Sequence, residues 1–362
     1  MPHAPRKARS PGARLRRLIG KLLGRKRITR RDKSEQDIIF KRLWQVAAGA
    51  SFHGERFSIR QPNLLLFQMG KVASTAIQAA LIDAGINCFS VHELRHEDEV
   101  QRLQRLFTER PRSWLARSDL KLLAKHTALH MLVRWHKENK VAADRRLKVV
   151  SITRDPVSRY VSHVLEQTGR NPHRLIGWHR AFSGASAADG GDAMEEMLRQ
   201  VARLLVETRP SAGLPAARTR GRALALGMSP PQPYLAEAFD NALLPLRWFD
   251  EQLAPLFGID IRTLPELARD GAAARKLDFA DILVVRFEDL STHTDRIARF
   301  AGLPALVVPP RNVTTDKPYA HEILQGARRF LQTGLGAAFQ RELRDSDYGR
   351  ACGYDRLTEP GL

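Results

Sequence analysis

The stretch Gln68-Met69-Gly70-Lys71-Val72-Ala73-Ser74-Thr75 gathers groups that suit an anion. Gly70 permits a close backbone approach or an unusual dihedral. The amides of Val72, Ala73, Ser74 and Thr75 can converge on a negative charge from the start of a helix. Lys71 adds a point charge, and Ser74 and Thr75 add hydroxyl donors. A kinase-type phosphate loop reads G-x-x-x-x-G-K-[ST]. Here Leu65 stands where its first glycine would be, and Val72 replaces the hydroxyl that would meet Mg²⁺. The short loop suits one terminal phosphate and the bond next to it. The plain alternative is a turn between a strand and a helix.

A second set lies in Thr153-Arg154-Asp155-Pro156-Val157-Ser158-Arg159-Tyr160-Val161-Ser162. Ser158 and Ser162 are four apart and share a helical face. A guanidinium from Arg154 and a hydroxyl from Ser162 can bracket a second phosphate. Otherwise Arg154 pairs with a structural acid and Ser162 packs. Asp155 reads as an N-cap, with Pro156 at the first helical position. Together the two sets suit a nucleoside with a 5′ group and a separate 3′ phosphate, and ATP has no need of the second set. His126 and His130, also four apart, are a base or metal pair or else an ordinary solvated face. Glu288 and Asp289 are expected to orient Arg286 or cap the helix after it.

These groups need a frame. Residues 63–68 are short and apolar, as a strand buried on both faces requires. Further strands are expected at 87–92, 147–153 and 281–290, with helices from 74 to 84, across most of 95–140, and from Pro156 onward. Ser291 is expected to cap a helix, and a last helix is expected from about Tyr319 to Leu343. Residues 184–193 and 210–234, rich in Gly, Pro and Ser, read as surface loops. Strands separated by helices imply an α/β protein, a three-layer fold with a mostly parallel central sheet flanked by helices.

Of the net charge of +20, about +12 sits in residues 1–34, which hold thirteen Lys/Arg and one acid. Leu15, Leu18, Ile19, Leu22 and Leu23 recur at helical spacing among basic residues, so residues 14–27 read as a basic amphipathic helix. Such a helix either touches an anionic membrane or docks on its own domain. Residues 1–50 are thus expected to form a basic N-terminal extension, and 55–362 the main domain. No apolar run reaches the ~18 residues of a spanning helix, and Cys88 and Cys352 form neither a disulfide framework nor a metal cluster. The expectation is a cytoplasmic protein, peripheral on the inner face of the membrane if the basic helix binds lipid. No zinc finger or aromatic RNA-binding motif points to nucleic acid.

The paired motifs resemble those of sulfotransferases that use 3′-phosphoadenylyl sulfate (PAPS). QMGKVAST looks like their 5′-phosphosulfate loop, and RDPVSRYVS like their 3′-phosphate motif. The closer likeness is to the bacterial capsular polysaccharide synthesis family, a branch of that superfamily. It is carried also by RWFDEQLAPLFGIDI (247–261), LVVRFEDL (283–290) and NVTTDKPYAHEI (312–323), in order over about 60–355. That family's late motif runs Asn…Lys-Trp-Tyr-Ser. Here Pro318 and Ala320 replace the Trp and Ser, leaving Asn312, Lys317 and Tyr319.

The resemblance implies a P-loop-like sulfotransferase fold and transfer of a sulfuryl group from PAPS to a hydroxyl or amine of a saccharide or glycolipid, with no metal. Lys71 would be catalytic. Gly70, Lys71, Val72, Ala73, Ser74 and Thr75 would hold the 5′ side, and Arg154, Ser162 and Lys317 the 3′ side. Sulfotransferases often place a base at the end of the second strand, where this chain has His92 and Glu93. Of the two, His92 has the reference pKa nearer a useful working value, ~6.5. The competing readings are a P-loop-like nucleotide kinase and a non-catalytic protein that binds polyanions or membrane through its basic tail.

Overall fold

The computed structural model describes residues 64–94, 146–170, 172–183, 189–309 and 320–357, with scattered positions between 126 and 143. The N-terminal extension, the amphipathic pattern at 14–27, Lys317 and most of 95–140 lie outside the described residues.

Among the described residues five strands form one sheet: β1 (Leu64–Phe67), β2 (Cys88–Val91), β3 (Leu147–Thr153), β4 (Ala272–Lys276) and β5 (Ala280–Arg286). Their order is β2-β1-β3-β5-β4. The first four in that order run parallel, and β4 is an antiparallel edge. Every residue of β1 is buried. A strand covered on both faces can be apolar throughout, which is why its sequence shows no alternation. Helices flank the sheet, so the chain is an α/β protein with a mostly parallel centre.

The strand order decides where a ligand can sit. From β1 the chain passes to β2 on one side, and then to β3 on the other. In open α/β sheets the crevice for ligands lies outside the carboxyl ends of the strands, where the order reverses. Here that place is between β1 and β3. Leu66 is in register with Val150, so Gly70 and Arg154 emerge at neighbouring strand ends.

Helix α1 (Ser74–Asp83) follows β1, and α2 (Pro156–Arg170) follows β3. The next four are α3 (Pro172–Ser183), α4 (Gly190–Thr208), α5 (Leu214–Leu226) and α6 (Pro233–Ala242). Thus most of the segment expected as loop at 210–234 is helical, as is the end of that at 184–193. Two of the glycines there serve packing. A Cβ on Gly221 would lie 2.2 Å from Cε1 of buried Phe239, so this glycine brings α5 against α6. Likewise a Cβ on Gly191 would come within 2.7 Å of the Glu322 carbonyl oxygen.

Gly221→Ala is expected to lower stability by about 1–3 kcal/mol, since overpacking displaces a core ring. Thermal unfolding would show it. Adding Phe239→Leu should restore part of the loss, because the two side chains would compete for one space.

After α6 come α7 (Leu244–Trp248), a π-helical turn (Phe249–Leu253), α8 (Ala254–Phe257) and α9 (Pro265–Asp270). The strand β4, absent from the sequence expectation, reads Ala-Ala-Ala-Arg-Lys and has no β-branched residue. Pairing with β5 draws it into the sheet. Beyond β5, α10 (Leu290–Ala301) is preceded by Asp289 rather than capped by Ser291, and no side chain caps it. The expected single last helix is two, α11 (Ala320–Leu331) and α12 (Gly334–Arg344), followed by α13 (Asp347–Cys352). Thr333 makes the break, its hydroxyl accepting from the Gly336 amide at 3.0 Å.

Candidate functional site

The loop after β1 has an unusual backbone. Gly70, Lys71 and Ala73 have φ of 78°, 64° and 59°. Among the described residues three non-glycine positions have positive φ, and Lys71 and Ala73 are two of them. Each such residue costs of order 1–2 kcal/mol. Strain of this kind persists where surrounding contacts impose it, and it gathers at functional sites. Ala73 is the N-cap of α1 and no side chain caps that helix, so its first amides face the crevice end with the helix dipole behind them.

Arg154 is one contact that holds the loop. Its Nη1 donates to the Lys71 carbonyl at 2.7 Å, although the two residues are 83 apart in sequence. The guanidinium lies over the Phe287 ring, 4.4 Å from its centroid. Burial pushes the Arg154 pKa down, and the charges of Glu288 and Asp155 oppose that shift. Its Nε is buried and has no hydrogen-bond partner. The Arg154 backbone is held as well: its N–H donates to the Tyr348 hydroxyl at 3.1 Å, and that hydroxyl donates to the Arg154 carbonyl at 2.8 Å.

Asp155 caps α2, its Oδ2 accepting from the Ser158 amide at 3.1 Å and the Ser158 hydroxyl at 2.8 Å. The Ser158 hydroxyl is thereby committed to the cap. Arg344 completes the site of Asp155, with Nε to Oδ1 at 2.9 Å and Nη2 to Oδ2 at 3.1 Å. Asp289 pairs with Arg286. Glu288 instead accepts from the Asp155 amide at 2.9 Å, tying the end of β5 to the end of β3. Burial raises the pKa of Glu288.

The Lys71 ammonium lies 3.3 Å from a Glu166 carboxylate oxygen on α2. Ser162 is one turn before Glu166 and half-buried, so it lies on the helical face that meets the loop. Glu166 was not singled out from the sequence, although its spacing of four from Ser162 carries the signal. A carboxylate on Lys71 competes with any incoming anion. If the loop takes the 3′-phosphorylated nucleotide that the sequence motifs suggest, Glu166→Gln should tighten binding of adenosine 3′,5′-bisphosphate about two- to fivefold, the scale of a partly exposed ion pair. Calorimetric titration of both forms would check it.

At the end of β2 the His92 ring packs on Gly70: a Cβ there would lie 3.5 Å from both Cε1 and Nε2. His92 Nδ1 is 3.1 Å from the Gln68 carbonyl oxygen. A carbonyl only accepts, so this contact assigns the proton to Nδ1 and makes Nε2 the acceptor nitrogen of the neutral ring. The His92 carbonyl accepts from the Trp248 indole N–H at 2.6 Å. Glu93 is half-buried beside it. His126 is 3% exposed, which corrects the reading of a solvated face. Among the described residues no group of three or more His, Cys, Asp or Glu could hold a metal ion, and no helix is long and apolar enough to cross a membrane.

The structure thus gathers Gly70, Lys71, Val72, Ala73, Ser74, Thr75, His92 and Arg154 at the carboxyl ends of three adjacent strands, with Ser162 in the second turn of α2. Compared with known proteins, the chain matches no family model, no curated protein and no solved structure.

Proposed function

We propose that this protein is a PAPS-dependent sulfotransferase with a P-loop-like three-layer fold, acting on a hydroxyl or amine of a saccharide or glycolipid in the making of a cell-surface or capsular polysaccharide. The observation that carries this is the contact between Arg154 and the Lys71 carbonyl at the reversal of strand order. It joins the two anion motifs into one crevice, as a ligand charged at both ends of its ribose requires.

The residues present fit such a donor. The loop supplies uncapped helix amides and a glycine against which His92 lies, and the Arg154 guanidinium retains a buried Nε with no partner. Gly70, Lys71, Val72, Ala73, Ser74 and Thr75 would hold the 5′ side. Arg154 and Ser162 would hold the 3′-phosphate, with Lys317 assisting from outside the described residues. When bound, PAPS supplies the sulfuryl group for in-line displacement, and adenosine 3′,5′-bisphosphate is the product. Lys71 exchanges Glu166 for the donor and faces the oxygen on which charge grows as the bond to sulfur breaks. A fixed cation there lowers the barrier more than it stabilises the ground state. His92, with its proton on Nδ1, accepts the acceptor's proton at Nε2. Glu93 is the alternative base. The basic residues 14–27 would rest on the anionic inner face of the membrane.

The direct test is thermal unfolding with candidate ligands. Adenosine 3′,5′-bisphosphate at a hundred times its Kd is expected to stabilise the fold by about 2.7 kcal/mol. Stabilisation by Mg-ATP with no response to the bisphosphate would favour a kinase and sink this proposal.

A further inference from the structure

Building on the role of His92 proposed above, we infer that Trp248 and Gln252 are positioning residues that set the His92 imidazole over the anion loop. Two hydrogen bonds from one helical segment straddle Glu93. On one side the Trp248 indole N–H donates to the His92 carbonyl at 2.6 Å. On the other the Leu94 amide donates to Gln252 Oε1 at 3.1 Å. The backbone from His92 to Leu94 is thereby pinned at both ends, just beyond the last residue of β2.

The segment that does this is specialised. Trp248 is the last residue of α7, and Gln252 lies in the π-helical turn. Such turns are rare, appear mostly as single widened turns and occur often at functional sites. The indole is anchored on the sheet: Trp248 is 2% exposed, and its ring meets Phe67 edge to face at 4.8 Å between centroids. Phe67 is the last residue of β1, the strand that feeds the anion loop. One aromatic contact and one hydrogen bond therefore reference the loop after β2 to the strand before Gly70. With the backbone fixed, the contact between Nδ1 and the Gln68 carbonyl fixes the ring and its tautomer. An exposed histidine on an unpinned loop would sample several rotamers and both tautomers. The clamp confines it to one.

Nitrogen-15 NMR of the histidine rings tests the clamp without reference to catalysis, with His92 assigned by the signals lost in His92→Gln. The wild-type protein is expected to show His92 as the single tautomer protonated at Nδ1. Trp248→Phe, which keeps an aromatic ring and removes the donor, and Gln252→Leu should each give a mixture of tautomers. Gln252→Glu, which keeps an acceptor oxygen, should retain the wild-type pattern. If Trp248→Phe does not fold, the two substitutions at half-buried Gln252 make the same comparison. In sulfuryl transfer, Trp248→Phe and Gln252→Leu should lower kcat about ten- to a hundredfold with KM for PAPS unchanged, the cost of a displaced catalytic group. Neither should lower it further in a His92→Ala background. An unchanged His92 spectrum in Gln252→Leu, or an equal loss of rate with and without His92, would overturn the inference. A wild-type protein that transfers nothing from PAPS would sink the sulfotransferase proposal instead, and the NMR comparison would stand.

Discussion

Lys71→Ala is expected to lower kcat for sulfuryl transfer by about 100- to 1,000-fold, the range found when one preorganised donor to a developing oxyanion is removed. Its effect on stability should be small. The Lys71 side chain is 25% exposed, and the charge it meets, Glu166, is 18% exposed. A pair in that setting contributes about 0–1 kcal/mol. Alanine carries a Cβ as lysine does, so the cost of positive φ at this position is nearly unchanged. The loop should keep its shape through Arg154, which grips the carbonyl of residue 71 and not its side chain. The bisphosphate product should bind at most about tenfold more weakly, because the loop amides and Arg154 remain. A large fall in kcat with a small change in product affinity is the signature of a group that acts in the transition state. Lys71→Arg should recover only part of the rate, since a planar fork replaces a compact charge. The measurements are single-turnover transfer from labelled PAPS to cell-envelope glycans, and product binding by calorimetry. Retention of kcat within threefold in Lys71→Ala would remove the ammonium from the chemistry.

The parts of this site that could be read in the sequence are those whose cause is local. β1 is an apolar run and β3 a largely apolar one, as strands buried on both faces need, and Gly70-Lys71 marks the turn that leaves β1. Asp155-Pro156 states the start of α2 within two residues. The parts that could not be read depend on distant partners. Glu166 meets Lys71 only because β1 and β3 are neighbours in the sheet. Trp248 stood within a recognisable stretch, but its hydrogen bond reaches 156 residues back to His92. Gly191 and Gly221 misled for a related reason. As turn formers they signal loops, yet each here permits a close approach that its own neighbourhood does not reveal. Helix formers such as Ala223, Leu224 and Ala225 were the better guide to residues 214–226, since propensity summed along a segment outweighs one glycine.

Asp155→Ala is expected to carry the largest cost in stability, about 3–5 kcal/mol, because it removes one partner of a buried charge pair. Asp155 is 1% exposed and Arg344 6%. Without the carboxylate, Arg344 keeps the Leu357 carbonyl at 3.0 Å and Gln340 Oε1 at 3.4 Å, both neutral. The same substitution removes the cap of α2, which is one reason it should exceed the loss of an ordinary ion pair. Thermal unfolding should show a fall in Tm on the order of 10 °C. The companion variant separates the two effects. Asp155→Ala combined with Arg344→Met removes both members of the buried pair, so it should be more stable than Asp155→Ala while still lacking the cap. Equal stability of the single and double variants would show that the buried pair is not what holds this corner. The corner matters to the site because Asp155 is the residue after Arg154, and its amide is held by Glu288. An Asp155→Asn protein, in which the side-chain oxygen can still accept from Ser158, should retain the cap and lose the charge pairing. Its stability should fall between wild type and Asp155→Ala. Its affinity for the bisphosphate should follow the same order, since the start of α2 sets where Arg154 and Ser162 stand relative to each other.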